Sequence, residues 1–279
     1  MWQIVSESVK SANHPLNQDA RKYFISKDKE QVIIAVADGH GSKKCFRSDV
    51  GSRFAVDVLL KIFGKHLSRK TFDNLQSGFS GMSQDLAKTI HRQWLEKVKK
   101  HLKSNPFTPE EELIDQKVFK DQKISYGTTL LGALITPNYI IYLQLGDGDI
   151  LVVTDDAVMR PIPKDENLIA NETYSLCDTE AFAFFKFYYQ PIIAQLPDLI
   201  MLSTDGYSNS FPDENEFQMT ALDYNNLYKK EGLDLIRKNI AEWLTETTVK
   251  GSGDDLTTIL VFKAFENEPT TKGEASITD

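Results

Sequence analysis

The chain has 279 residues, 41% apolar and 26% charged, which excludes a disordered or low-complexity protein and is enough for one large domain. Forty acidic residues against 32 basic ones leave a net charge of −8, so neither nucleic acid nor an anionic membrane is expected as the main partner. An anionic substrate is still compatible, because bound divalent cations reverse the local sign of a site.

Cys45 and Cys177 are the only cysteines and lie far apart. No disulfide framework or CxxC metal site is available, and two buried free thiols are expected. The first residues show no basic region followed by an apolar run, so no signal peptide is expected. The longest apolar stretches, such as residues 32–37, fall far short of the ~20 residues a membrane helix needs. A soluble cytoplasmic protein follows from these readings.

In chain order, residues 2–8 and 20–26 read as strands separated by turn chemistry around Asn13-His14-Pro15. Residues 31–37 form a β-branched run, expected to be a strand buried on both faces. Phe46, Val50, Phe54, Val58 and Ile62 then recur at helical spacing, with Ser42 as the expected N-cap. Leu86, Ile90, Trp94 and Val98 predict a second helix within 82–104. Residues 104–124, polar and broken by two prolines, read as a surface connection. Strands are expected at 126–135, 138–146, 149–154, 181–190, 198–203 and 257–263, and a helix over 222–249. The irregular 160–180 stretch is too long for a tight connection, which is typical of functional loops. Trp94 and Trp243 fall on apolar helix stripes and are expected in the core. His66, His91 and His101 are expected on the surface. Strands interspersed with a few long helices predict an α+β, layered β-sandwich architecture.

Four segments share one design, an apolar strand or turn ending in aspartate beside glycine or another acid. They are Asp38-Gly39-His40-Gly41, Gly146-Asp147-Gly148-Asp149, Thr204-Asp205-Gly206 and Gly253-Asp254-Asp255. Asp19 precedes the second strand. Taken singly, Asp-Gly is an ordinary turn dipeptide. Several carboxylates converging at one rim of a sheet are costly unless a cation offsets them, and oxygen ligands of this kind favour a hard cation.

Together with the Gly127-Thr128-Thr129 strand, the order and rough spacing of these motifs resemble the PP2C-type, metal-dependent protein phosphatases, with the compact bacterial branch nearest in pattern. The resemblance spans about residues 3 to 263. It implies two antiparallel sheets packed as a sandwich and flanked by helices in α/β/β/α layers. One phosphatase domain is then expected over 1–264, followed by an acidic tail, 265–279, expected to lack fixed structure.

The resemblance also implies hydrolysis of phosphoserine and phosphothreonine in proteins by a water held between two Mn²⁺ or Mg²⁺ ions. Asp38 would bridge the ions, with the Gly39 carbonyl on one of them and Asp205 and Asp254 on the other. Asp19 would act directly or through water, and Asp147 would hold a weaker third ion. His40 would protonate the leaving alkoxide. The expected partner is a phosphorylated protein, the product of a serine/threonine kinase, and a monomer is expected. Many relatives carry an arginine five residues before the N-terminal aspartate as a phosphate clamp. Here that residue is His14, with Lys10 nearby, so these two are the expected substrate contacts. Gln18, Asp255 and Asn209 depart from the family pattern. The Asn171-Glu172-Thr173 stretch lies where relatives carry a variable flap. Two rival readings remain: a module of this fold that binds phosphoprotein or regulates a kinase without turnover, and a hydrolase of a small phosphorylated metabolite.

Overall fold

A computed structural model describes residues 1–69, 79–164, 173–193, 195–265 and 276–278. The N-terminal part runs β1 (Trp2–Val9), β2 (Ala20–Ile25), β3 (Val32–Ala37), α1 (Ser48–Arg69) and α2 (Phe79–Ser104). Two short helices, α3 (Pro109–Glu112) and α4 (Gln116–Lys120), precede β4 (Leu130–Ile135), β5 (Tyr139–Leu145), β6 (Asp149–Thr154) and β7 (Ala157–Met159). The rest comprises β8 (Lys186–Pro191), β9 (Leu199–Ser203), α5 (Asp205–Ser208), α6 (Glu214–Glu231), α7 (Leu233–Lys250), β10 (Leu256–Lys263) and β11 (Ser276–Thr278).

The strands form two antiparallel sheets, β1-β10-β9-β6-β7 and β11-β2-β3-β4-β5-β8. Alternation along each strand decides which layer a residue joins. In β3, Val32, Ile34 and Val36 enter the core between the sheets, whereas Ile33, Ala35 and Ala37 face α1 and α2. In β9, Ile200 and Leu202 face inward while Leu199 and Met201 meet α6 and α7. Strands covered on both faces read as unbroken apolar runs, which explains the 31–37 stretch. The expected α/β/β/α sandwich is therefore the observed architecture.

Several local expectations change. The helix expected from Phe46 starts at Ser48, after a 3₁₀ turn at Lys43–Cys45, and Ser42 makes no capping hydrogen bond. The single helix expected over 222–249 is two, α6 and α7, broken at Gly232 with φ 81°. Residues 181–183 form a 3₁₀ turn, so β8 begins only at Lys186. The 104–124 connection is pinned rather than loose: Arg47 binds Glu111 through Nε (3.0 Å) and Nη2 (2.7 Å), and its Nη1 donates to the Asn105 carbonyl (2.6 Å). His91 is buried, not superficial. Trp94 is fully buried, as expected, and Trp243 packs partly buried against the outer core. Within the tail expected to lack structure, Ser276–Thr278 pairs with Tyr23–Ile25, because β2 would otherwise leave an unpaired edge. Residues 266–275, and Asn171 and Glu172 of the expected flap, lie outside the described residues. No helix among the described residues is long and apolar enough to cross a membrane.

Helix α1 crosses close to the 3₁₀ turn Gln122–Tyr126 that lies between α4 and β4. A Cβ on Gly51 would stand 1.9 Å from the Tyr126 carbonyl oxygen, and Trp94 Nε1 donates to the Gly51 carbonyl at 3.0 Å. Gly51→Ala is therefore expected to cost about 1–3 kcal/mol, read as a lower urea midpoint. An unchanged midpoint would show that this approach is not tight.

Candidate metal centre

Antiparallel pairing places the start of one strand beside the end of its neighbour, and here it gathers the aspartates. Ala37 at the end of β3 pairs with Ala20 at the start of β2, which brings Asp38 beside Asp19. Ser203 at the end of β9 pairs with Asp149 at the start of β6 and with Thr258 near the start of β10. Asp147, Asp205 and Asp254 are thereby delivered to the same end of the sandwich.

An open cleft of about 1170 Å³ lies there, lined by Asp38, His40, Asp147, Asp205, Asp254 and His14 among others. Asp38 is held by its backbone: its amide donates to Thr129 Oγ1 (3.0 Å), and its carbonyl accepts from Thr129 N (2.9 Å) and Thr128 Oγ1 (2.8 Å). Gly39 packs so closely that a Cβ would sit 2.4 Å from the Gln18 carbonyl oxygen, so only glycine fits. Asp19 stands behind the cleft, accepting from Thr204 Oγ1 at 2.9 Å. Asp205 Oδ2 accepts from Asn209 Nδ2 at 2.9 Å, while its buried Oδ1 has no hydrogen-bond partner among the described residues.

The electrostatics are those of crowded like charges. Burial, then the charges of Asp19, Asp205 and Asp254, push Asp38 well above the ordinary carboxylate range. Burial does the same to Asp19, raised to about 8 against hydrogen bonds from Thr257 and Thr204. Asp147 is raised to about 6 by burial and by Asp205. Burial pulls His40 down, and Asp178 and Asp205 oppose that. Oxygen donors, mutual repulsion and the orphaned Asp205 Oδ1 fit a hard cation. Among the described residues no three ligand-type side chains converge on one point as a closed shell.

The chain matches the family model of protein phosphatase 2C over residues 10–245. It belongs to that family. The serine/threonine phosphatase Stp1 from Staphylococcus aureus is 17% identical, with a TM-score of 0.60, covering 95% of this chain and 96% of that one. The serine/threonine phosphatase of S. agalactiae is 16% identical, with a TM-score of 0.58, covering 94% and 99%. The catalytic domain of PstP, solved in complex with two manganese ions, is 15% identical, with a TM-score of 0.56, covering 94% and 97%. At these identities the likeness concerns the fold. No curated protein matches the chain.

Within this protein phosphatase 2C fold, Lys10 departs from its expected place. Its Nζ donates to the Ser11 and His14 carbonyls, 2.8 and 2.5 Å away, so it braces the 11–14 turn and does not line the cleft. His14 does line it, but its Nδ1 faces Asp255 Oδ2 (3.3 Å) and Asp254 Oδ1 (3.6 Å). Asp255, buried, accepts from the backbone amides of Ser11 (2.7 Å) and Gln18 (2.8 Å) and so ties the N-terminal loop to the site. Gln18 turns its amide to Ser48 Oγ, and Asn209 orients Asp205. Both cysteines are free thiols and both line the cleft; Cys45 is buried, whereas Cys177 is only partly so.

Sequence reasoning missed Asp178, whose charge reaches His40, and the lysines Lys44, Lys123 and Lys164 of the cleft wall. No motif marks them. It also missed the cluster behind Asp147: buried Asp149 pairs with Arg160 Nη1 (2.5 Å), and Arg160 and Lys164 both grip Glu214 at the start of α6. Burial works against charge on Glu214, but hydrogen bonds from Lys164, Gln218 and Arg160 prevail and hold it at about 2, below the ordinary 4.5. Ionised Glu214 thus stabilises the fold above about pH 4.5, and this contribution is lost as pH falls towards 2. Glu214→Gln is expected to flatten the acid limb of a urea-midpoint profile over that range. An acid limb identical to wild type would contradict this.

Proposed function

We propose that this chain is a serine/threonine protein phosphatase that depends on Mn²⁺ or Mg²⁺. The observation that carries the reading is the group of repelling carboxylates at one end of the sandwich, beside the partly buried His40 imidazole, in a chain of this family. Asp38, the Gly39 carbonyl, Asp205 and Asp254 would hold two cations, Asp19 would assist from behind, and Asp147 would serve a weaker third. Divalent cations bound there supply charge neutralisation and an activated water for phosphoester cleavage.

The protein's own groups do the remainder. The Thr128 and Thr129 hydrogen bonds fix the Asp38 backbone, and Asn209 fixes Asp205, so the ligand set is held before substrate arrives. His40 lies on the cleft wall, its amide donating to the Gly127 carbonyl at 3.1 Å, and delivers a proton to the departing alkoxide. Asp178 favours the charged imidazole that this step needs. The substrate is a phosphorylated protein made by a serine/threonine kinase, and the enzyme works as a monomer. A non-catalytic module that binds phosphoprotein is the second reading, favoured by His14 standing where many relatives carry arginine.

Hydrolysis of p-nitrophenyl phosphate and of a phosphothreonine peptide is expected with Mn²⁺, and none with EDTA or in Asp38→Ala. A folded protein that binds Mn²⁺ but turns over neither substrate sinks the catalytic reading in favour of the module. His40→Ala separates the two substrates. The peptide leaves as a basic alkoxide and is expected to lose ~10²–10⁴ in rate. p-Nitrophenolate is a good leaving group and is expected to lose far less. Equal losses on both would remove His40 from the proton-donor role.

A further inference from the structure

The cleft is lined by six aspartates and three lysines, in a chain of net charge −8. The expected basic contacts are already engaged: Lys10 with backbone carbonyls, and His14 with Asp254 and Asp255. Two of the wall lysines are engaged as well, Lys123 with Asp121 and Lys164 with Glu214 and Asp149. Lys44 differs. It lines the cleft, is exposed, and has no hydrogen-bond or ion-pair partner among the described residues.

Its position is nevertheless rigid. Lys44 lies in the 3₁₀ turn Lys43–Cys45, four residues beyond His40. Buried Cys45 anchors that turn, with its amide donating to the Ser42 carbonyl at 2.8 Å, and the adjoining Arg47 amide donates to the Ser125 carbonyl at 2.8 Å. A lysine carried on a pinned backbone, close enough for its charge to reach His40, puts an ammonium at the mouth of the site. An ammonium is a compact charge with three donors and no geometric demand, suited to an anion that arrives in varied settings.

We propose that Lys44 is the anchor for an anionic group of the substrate: the phosphoryl oxygens themselves or a carboxylate beside the phosphorylated residue. The inference rests on the phosphatase reading for the nature of the substrate.

Its test is direct binding, with turnover measured alongside. Labelled phosphothreonine peptides with acidic or neutral flanks are titrated with Mn²⁺-loaded protein by fluorescence anisotropy, for wild type, Lys44→Ala, Lys44→Glu and Lys44→Arg, and KM is measured for p-nitrophenyl phosphate. An exposed contact of this kind predicts roughly fivefold weaker binding in Lys44→Ala. Lys44→Glu should bind more weakly still, Lys44→Arg should stay near wild type, and the differences should fade at high salt. A loss shared by both peptides and by the KM of p-nitrophenyl phosphate assigns Lys44 to the phosphoryl group. A loss confined to the acidic peptide assigns it to the flanking carboxylate. Unchanged binding in both Lys44→Ala and Lys44→Glu overturns the proposal, as does a wild type that binds neither peptide. A wild type that binds but does not turn over refutes the phosphatase reading, while the Lys44 comparison still stands on binding. The residue is exposed and without partners among the described residues, so the urea midpoint should match wild type in every variant.

Discussion

Like charges held close together in a half-buried place repel one another, and the rest of this structure is arranged around that repulsion. Asp19, Asp38, Asp147 and Asp254 are all shifted towards their neutral forms, with burial the first cause in each case. A fold that evolved for stability alone would have no use for such a cluster. In the reading proposed above, its persistence at one end of a well-packed sandwich gives the site both its affinity for cations and its chemistry.

Strand register creates the crowding, and a second ring of contacts keeps it from relaxing. The Gly127-Thr128-Thr129 segment binds both sides of the Asp38 peptide, so this carboxylate cannot retreat into solvent by a backbone shift. Asp255 uses its own charge differently. It accepts from two backbone amides, Ser11 and Gln18, and so acts as a strut for the N-terminal loop. The Arg160, Lys164 and Glu214 group performs the same service for the strand that begins at Asp149, whose buried charge is paired rather than opposed.

Charge is thus layered across the cleft. Acids occupy the floor, their nearest basic neighbours are consumed by internal pairs, and one lysine on a rigid turn faces outward. Net charge says nothing of this layering. A protein of −8 can present a locally cationic mouth to an anionic substrate once its floor is neutralised.

Much of this was legible in the chain itself. Unbroken apolar runs marked strands covered on both faces, and the aspartates at their ends marked the site, because both signals depend only on residues adjacent in sequence. The departures share a cause. Lys10 bonds carbonyls one and four residues away instead of the cleft, His14 meets acids some 240 positions further on, and His91 is buried against a segment that no periodicity announces. Gly232 splits a stripe that hydropathy alone reads as one helix. Asp178 and Lys44 carry no motif and gain meaning only from standing near His40. The layers and the aspartate-bearing strand ends follow from the chain alone. The tertiary structure alone decided which charges are paired and which are left to act, because pairing is set by distances between segments that the chain brings together only on folding.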